Sequence, residues 1–371
     1  LNSNYGIETK DGGVGIYAVK SSIPTATTLE YKYSGSNLGR GIAVVYTGVN
    51  ATNNTNIKLV NSTKTVGGLI GIFDNGQGTF TNNGTITGSS TTKEFGIIGE
   101  SNNIINNGNI NLGNATSIKA PNIAIYSKTE NSITNTASIK VGNNSTGFYG
   151  YTINNSGDIT VGSKGTAIYS QGGNVDISSG TINVAGKDSI GMYGVGSETT
   201  VYNGTTKGST ATINLSADGA VGIYLDEGAK GYNYGTITTV GNPKKAVGII
   251  IKKDAEFTNE GTITINSTDG YAFLKANGGI IKNYGTFTIS GGAQKEGVPE
   301  NRITGQKIRG VEIEARVGSL EAKITDPLGN IVKPTLVPIS SEKIAPSISS
   351  IGMYIDTLRT TYPINGLSAI K

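Results

Sequence analysis

Asp74 and Asp226 each directly follow a short apolar segment. Both segments contain a small residue, then a large apolar residue, then an aromatic residue. In β-helices that cleave polysaccharides, carboxylates grouped on one face carry out the reaction. Polysaccharide cleavage is therefore the enzymatic activity that these two residues suggest. Hydrolysis of a glycosidic bond needs two carboxylates within about 5–9.5 Å of each other. The segments that carry Asp74 and Asp226 are six repeats apart, which corresponds to roughly 29 Å at the usual strand spacing. This pair therefore predicts no catalytic site, and we interpret the neighbouring Asp226 and Glu227 as a solvated turn.

The residue types that most often carry catalysis and metal binding are missing from this chain. It contains no His, no Cys and no Trp, which excludes Ser-His-Asp and Cys-His nucleophilic sites and zinc–thiolate sites. No Gly-Gly-x-Gly-x-Asp array occurs, so a calcium-binding β-roll is not expected. We predict a non-enzymatic protein with no catalytic residue, no metal and no cofactor.

Charge and hydropathy argue against nucleic acid and against the membrane interior. The net charge is +4 and charged residues make up 15 % of the chain, without a dense basic patch. The longest apolar run, at 246–251, is far shorter than the ~20 residues of a membrane-spanning helix. We therefore expect no nucleic-acid partner and no direct membrane insertion. The polar first residues lack the pattern of a signal peptide, and we interpret the chain as a fragment of a longer protein.

A short motif recurs along the chain and consists of a small residue, a large apolar one, and an aromatic or aliphatic one. The 257 residues from Gly15 to Ala272 hold ten steps of it, a mean of about 26. The triplets begin at Gly15, Gly41, Gly71, Gly96, Ala124, Gly147, Ala167, Gly191, Gly222, Gly248 and Ala272.

Two further short segments accompany each triplet. One resembles Gly-Thr-Ile-Thr, as at 235–238 and 261–264, and the other precedes it, as at 257–259. Three short strands in about 26 residues predict an all-β, right-handed parallel β-helix (a solenoid) with three-stranded coils. A propeller blade needs ~40–45 residues, and a leucine-rich repeat would show repeated Leu and a helical segment. Eleven coils are expected up to residue 290.

Alternation along a strand assigns side chains to the inside or the outside. Because residues i and i+2 share a face, Val14, Ile16 and Ala18 are expected to point inward together. Asn at recurring turn positions is expected to form side-chain ladders between coils. The third triplet position would then point outward. Its aromatic column either offers a strip on which a sugar or protein stacks, or consists of rings that stack on each other with hydroxyls in water, which we favour. This column contains Tyr17, Phe73, Tyr126, Tyr149, Tyr169, Tyr193 and Tyr224.

Interruptions of the repeat divide the chain and supply candidate binding residues. We expect coils over 1–290 with a long loop at 21–40, a loop excursion at 291–310, and continuing coils with an inserted hairpin over 311–371. Loops on rigid scaffolds concentrate binding residues. The candidates for ligand binding are Tyr31, Tyr33, Arg40, Arg302 and Arg309.

The lattice of Gly-Ile-Tyr and Asn-x-Gly-Thr-Ile-Thr, together with 350–357, resembles the passenger region of large fusobacterial type V autotransporter adhesins. The resemblance covers nearly the whole chain. It implies a surface-exposed or secreted fragment, anchored through an outer-membrane barrel not present in this sequence, that attaches to host-cell proteins or glycans or to partner bacteria. Two alternatives remain open: a purely structural spacer that presents a distal tip, and a polysaccharide-active β-helix enzyme.

Overall fold

The computed structural model describes residues 5–9, 13–18, 28–33, 41–61, 68–88, 93–100, 103–117, 121–127 and 131–298, with two short strands at 324–325 and 331–332. Every regular element in these ranges is a β-strand. Within them, no helix has the length and hydropathy needed to cross a membrane.

Three long sheets, here called A, B and C, contain nearly all of the strands. Sheet A consists of β1 (Tyr5–Thr9), β3 (Thr28–Tyr33), β6 (Asn56–Asn61), β9 (Ile86–Gly88), β12 (Ile110–Leu112), β15 (Ile139–Val141), β18 (Ile159–Val161), β21 (Thr181–Val184), β24 (Thr212–Leu215), β27 (Thr236–Thr239), β30 (Thr262–Asn266) and β33 (Thr286–Ser290). Sheet B consists of β2 (Gly13–Ala18), β4 (Gly41–Tyr46), β7 (Leu69–Asp74), β10 (Glu94–Gly99), β13 (Ile123–Ser127), β16 (Thr146–Gly150), β19 (Thr166–Gln171), β22 (Ile190–Val195), β25 (Val221–Asp226), β28 (Val247–Ile251), β31 (Tyr271–Lys275) and β34 (Gln294–Gly297). Sheet C consists of β5 (Thr52–Asn53), β8 (Thr79–Asn82), β11 (Asn103–Asn106), β14 (Ser132–Asn135), β17 (Thr152–Asn155), β20 (Asn174–Ile177), β23 (Thr200–Asn203), β26 (Lys230–Asn233), β29 (Glu256–Asn259) and β32 (Ile280–Asn283).

Successive coils stack in parallel, one strand in each sheet, which confirms the predicted β-helix with about 26 residues per turn. From β4 to β33 the chain visits sheets B, C and A in turn, and ten coils have all three strands. The prediction of eleven coils counted the first triplet as a full coil, whereas the residues described there, at 13–18 and 28–33, give β2 in sheet B and β3 in sheet A and no strand of sheet C.

The middle residue of each triplet points into the coil, as predicted. Ile72, Ile97, Ile168 and Ile223 are fully buried in the central core, which runs the length of the described coils. Burial of one such side chain contributes roughly 1.5–3 kcal/mol before the cost of ordering the chain is subtracted.

The alternation of side chains between the two faces of a strand breaks at the small residue of the triplet. The predicted inward orientation of Val14 was therefore wrong. Val14 packs against the outer cluster of sheet B, whereas Ile16 packs against the central core. Neighbouring strands are paired on both sides of the small residue but not at it, as between β2 and β4. The backbone turns at this position, so residues i and i+2 around it face opposite sides. A Cβ on Gly222 would lie 2.5 Å from the carbonyl oxygen of Gly248, which limits the position to small residues.

An asparagine ladder runs along the inner edge of sheet C, as predicted. The Asn135 Nδ2 donates to the Asn155 Oδ1 at 2.7 Å and to the carbonyl oxygen of Ala137 in its own coil at 2.7 Å. These bonds satisfy buried amide groups at the end of each sheet C strand and tie each coil to the next. The ladder consists of Asn53, Asn82, Asn106, Asn135 and Asn155, followed by Asn203, Asn233, Asn259 and Asn283.

Two of the segments expected to be loops contain strands. β3 lies within 21–40 and pairs in parallel with both β1 and β6. β34 lies within 291–310 and adds a last strand to sheet B. Within 311–371, β35 (Ile324–Thr325) and β36 (Ile331–Val332) pair antiparallel. The remainder of 311–371 lies outside the described residues.

Candidate functional site

The aromatic column of the triplets lies on the outer face of sheet B and is buried there. Tyr193 is 2 % exposed, and its ring centroid lies 4.5 Å from that of Tyr224 and 5.2 Å from that of Tyr169. The expectation that the rings stack on each other is confirmed, but the expectation that their hydroxyls lie in water is wrong. Burial is the main cause that raises the pKa of Tyr193 and of Tyr224. The column is not an exposed strip for a ligand.

Two of the loop candidates, Tyr31 and Tyr33, lie in a described strand. Tyr31 lies in β3 with its side chain fully buried, and its hydroxyl donates to the carbonyl oxygen of Gly13 at 2.8 Å. The structure thus places Tyr31 in a strand and not in an exposed loop, and a role of Tyr31 in ligand binding stays a prediction. Tyr33 is the last residue of β3. The other candidates lie outside the described residues: Arg40, Arg302 and Arg309.

A different group of aromatic side chains reaches the surface, on the outer face of sheet C. Tyr202 in β23 and Tyr232 in β26 are paired in register. Their ring centroids are 5.0 Å apart and their planes differ by 11°. Tyr234, just after β26, continues the row at 6.2 Å from Tyr232 with a plane that differs by 4°. Alternation explains the placement, since the ladder residue Asn233 between them points inward. We call these three residues, all half-buried, the tyrosine cluster.

Charged and polar groups surround the tyrosine cluster. Asp176 in β20 is paired with Tyr202 in the sheet register. Burial raises the pKa of Asp176. Burial is also the main cause that raises the pKa of Tyr202, and the neighbouring tyrosines and Asp176 add to it. Burial is the main cause that raises the pKa of Tyr234, and the charge of Glu260 in the next coil is the second.

An ion pair and a further tyrosine border the other end of the cluster. Lys282 in β32 pairs with Glu256, which raises the pKa of the lysine. Two coils beyond Tyr234, at the equivalent turn position, Tyr284 is 71 % exposed. The surface thus combines aromatic rings, hydroxyls and both signs of charge within a few coils.

Asp176 and Glu260, the carboxylates on either side of the tyrosine cluster, do not form a glycosidase pair. Asp176 and Glu260 belong to coils three strands apart, or about 14 Å along the axis, beyond the ~5–9.5 Å of glycosidase carboxylates. Asp74 and Asp226 end strands that are six positions apart in sheet B, as expected. Within the described ranges, no group of three or more His, Cys, Asp or Glu residues could hold a metal ion. Rings with polar tips on a rigid face bind partners by stacking and hydrogen bonding.

Sequence reasoning missed the tyrosine cluster because it followed the aromatic residues of the triplets. A signal was present, since 231–235 reads Gly-Tyr-Asn-Tyr-Gly and places a tyrosine on each side of a ladder asparagine. In the same outward row of sheet C, earlier coils carry Thr81, Ile105, Thr134, Asn154 and Asp176. An aromatic residue at this row is therefore a departure from the repeat.

Comparison with known protein families finds a match. The family model of the BigA third pectate lyase-like domain matches residues 87–308, which is more than half of the 371-residue chain. No curated protein and no solved structure matches the chain. The matched family is a passenger-type domain of bacterial surface adhesins with a pectate lyase-like fold, and the fusobacterial assignment stays a prediction. The strands from β10 to β34, with the core and ladder residues that they carry, fall within the matched range. The chain belongs to the family of the BigA third pectate lyase-like domain.

Proposed function

We propose that this chain is a surface-exposed passenger segment of a bacterial autotransporter adhesin that mediates attachment to host cells or other bacteria. Family membership supports the adhesin class. The rod formed by ten stacked coils supports a role at the cell surface, because a stiff solenoid holds a binding face away from its point of attachment. The partner would be a host-surface protein or glycan, or a surface component of another bacterium.

The observation that carries an attachment role is the tyrosine cluster. Tyr202 and Tyr232 continue an outward row of sheet C that holds only one apolar residue, Ile105, in the earlier coils. Tyr234 lies beside them, just after β26. The hydroxyls of these three residues have no hydrogen-bond partner within the described part of the chain. Tyrosine provides large contact area at a low entropy cost and is enriched in binding surfaces. A partner that stacks on these rings can also hydrogen bond to their hydroxyls and to Asp176.

Binding of the purified chain to host cells, partner bacteria and a glycan array tests this proposal. The double variant Tyr232→Ser, Tyr234→Ser should reduce binding at least tenfold, which corresponds to about 1.4 kcal/mol. The matched control is Thr134→Ala, Asn154→Ala, in the same sheet face three or more coils away, and it should bind like the parent chain. Binding that is equal in both double variants would contradict a role for the tyrosine cluster.

A structural spacer is the second candidate function. The outer faces of sheets A and C carry mostly Thr, Asn and Lys between the coils, as in the row Thr87, Asn111, Lys140 and Thr160 of sheet A. Such polar faces fit a shaft that makes no contact of its own. No binding to any cell or glycan in the same panel, with adhesion of whole cells unchanged by either double variant, would favour the spacer. An enzymatic role has no positive support among the described residues.

A further inference from the structure

The row of tyrosines on the outer side of sheet C continues beyond the tyrosine cluster. Tyr284 follows β32 as Tyr234 follows β26, because each comes directly after the ladder asparagine of its coil, Asn283 or Asn233. Tyr284 is largely exposed, whereas the three residues of the cluster are half-buried. We call the surface from β23 to β32 the tyrosine face, and it is defined by Tyr202, Tyr232, Tyr234 and Tyr284.

The ring planes decide which parts of these tyrosines a ligand can reach. Tyr202 and Tyr232 face each other with centroids 5.0 Å apart and planes that differ by 11°. The faces that they turn toward each other are closed to a ligand, which leaves their ring edges and hydroxyls. Within the described part of the chain, no hydrogen bond uses the hydroxyls of these two residues, of Tyr234 or of Tyr284. A ligand therefore meets apolar ring edges together with four hydrogen-bond donors.

The size and charge of the tyrosine face favour a slender, uncharged ligand. The face spans three strand spacings from β23 to β32, about 14 Å, and its two rows of tyrosines are about 7 Å apart. A footprint of about 100 Å² is far below the ~800 Å² that each partner buries in a standard interface between folded proteins. From β20 to β32, the formal charges of these strands and of the turns after them cancel: Asp176, Glu256 and Glu260 against Lys207, Lys230 and Lys282.

The spacing of equivalent tyrosines matches one backbone conformation of a peptide. Tyr234 and Tyr284 lie two strand spacings apart along the axis of the coils, or about 9.6 Å. A polyproline II helix rises ~3.1 Å per residue with three residues per turn, so its side chains return to the same side every ~9.3 Å. Side chains on one side of a β-strand recur every ~6.6 Å, and an α-helix rises about 5.4 Å per turn. Of the three conformations, only polyproline II repeats with the tyrosines.

We propose that the tyrosine face binds a single proline-rich segment of a partner protein, in the polyproline II conformation and parallel to the axis of the coils. This inference rests on the proposed attachment role and names the chemistry of its ligand. Residues i and i+3 of the segment pack against Tyr234 and Tyr284. A polyproline II backbone has no internal hydrogen bonds, so its carbonyl groups accept from the tyrosine hydroxyls. Proline-rich segments dock on aromatic surfaces in this way, and their preformed conformation lowers the entropy cost of binding.

Fluorescence anisotropy of labelled decaproline with the full chain tests the ligand class. Decaproline is about 31 Å long in this conformation, enough for the whole tyrosine face. The chain should bind it saturably, and it should bind a flexible decapeptide of alternating Gly and Ser at least tenfold more weakly. The double variant Tyr234→Ser, Tyr284→Ser should weaken decaproline binding at least tenfold, because it removes two contacts one helical turn apart.

Two further variants separate the contacts from the fold. Tyr234→Phe, Tyr284→Phe keeps the rings and removes their hydroxyls, so it should weaken binding by a smaller factor than the serine variant. The matched control is Tyr151→Ser, which removes a half-buried tyrosine at the turn between β16 and β17 and should leave the affinity for decaproline unchanged. Circular dichroism spectra like that of the parent chain establish that each variant is folded.

No binding of decaproline by the parent chain, or equal binding by the parent and the serine variant, would overturn the proposal. If the parent chain then still attached to cells and Tyr232→Ser, Tyr234→Ser did not, the attachment role would stand with a ligand of another class. A glycan that binds the parent chain but not that variant would identify the ligand as a sugar. Decaproline binding that requires Tyr234 and Tyr284, without attachment to any cell, would support the ligand chemistry and contradict the proposed function.

Discussion

Ile177 occupies the ladder position between Asn155 and Asn203, and it leaves the Asn203 Oδ1 without a hydrogen-bond donor among the described residues. In the rest of the ladder, the side-chain Nδ2 of one coil donates to the Oδ1 of the next at 2.7 Å. Isoleucine has no donor, so the ladder consists of two separate runs. A buried oxygen without a partner costs roughly 1–3 kcal/mol.

Replacement of Ile177 by Asn should join the two runs. The new amide would donate to Asn203 and accept from Asn155, which adds two hydrogen bonds worth about 0.5–1.5 kcal/mol each. The loss of a buried isoleucine removes roughly 1.5–3 kcal/mol of apolar burial. We expect the two effects to cancel to within about 1 kcal/mol in the free energy of unfolding, measured by urea denaturation.

Val175→Asn is the matched control, because Val175 is buried in the same strand at a position without a ladder. An asparagine there has no amide neighbour above or below it, so the variant should lose at least about 2 kcal/mol. A loss in Ile177→Asn as large as that in Val175→Asn would show that the new amide does not enter the ladder.

The small residue of the triplet gives a second prediction. At Gly222 a Cβ would lie 2.5 Å from the carbonyl oxygen of Gly248 and 3.1 Å from the Cγ2 of Ile237. Gly222→Val should therefore force the adjacent strands apart and lower the free energy of unfolding by about 3 kcal/mol. Gly222→Ala should cost less than half as much, because alanine occupies the same position in other coils, for example at Ala167.

Thermal unfolding followed by circular dichroism measures both variants of Gly222. The order of the two midpoints is the decisive quantity. Equal midpoints for Gly222→Ala and Gly222→Val would mean that the backbone at the small residue relaxes freely and does not limit side-chain size.

Much of the fold follows from local patterns, whereas the surface sites depend on contacts between distant parts of the chain. The repeat spacing and inward isoleucines such as Ile168 could be predicted, because each coil repeats one local solution. The opposite orientation of Val14 and Ile16 could not, since alternation places residues i and i+2 on one face and it breaks at the small residue between them. The burial of Tyr193 could not either, because alternation shows which side of a strand a residue faces and not what covers that side.

The turns between sheets A and B give a third prediction. Lys245 has a φ of 56°, and the corresponding turn of the preceding coil has Gly219 with a φ of 72°. A left-handed conformation costs a residue with a Cβ roughly 1–2 kcal/mol, and glycine loses roughly 0.5–1 kcal/mol more entropy on folding. Lys245→Gly should therefore stabilise the chain by about 0.5 kcal/mol in urea denaturation.

The opposite change at the neighbouring coil is the control for this turn. Gly219→Ala should destabilise the chain by about 1 kcal/mol, because its φ lies in the region that alanine avoids. A destabilising effect of Lys245→Gly would show that the lysine side chain contributes contacts that outweigh the backbone strain.

The raised pKa of Asp176 gives a prediction about pH. Burial disfavours its ionised form, so the folded state binds a proton more tightly than the unfolded state does. The carboxyl group therefore stabilises the fold most below the pKa of the unfolded chain, near ~3.9, and this contribution is lost as the pH rises through the folded pKa. Asp176→Asn removes the titration. The variant should be at least as stable as the parent chain at pH 7, and this relative advantage should disappear or reverse at pH 3.

Unfolding midpoints of both chains across pH 3 to 7 measure this difference. The control is Asn154→Ala, at the paired position of the preceding sheet C strand, whose effect should not depend on pH because neither side chain titrates. A stability difference between Asp176→Asn and the parent that is constant with pH would mean that the carboxyl group has the same pKa in both states. Partner binding to the tyrosine cluster should then also be insensitive to pH in this range, since Asp176 is the carboxylate paired with Tyr202 in the sheet register.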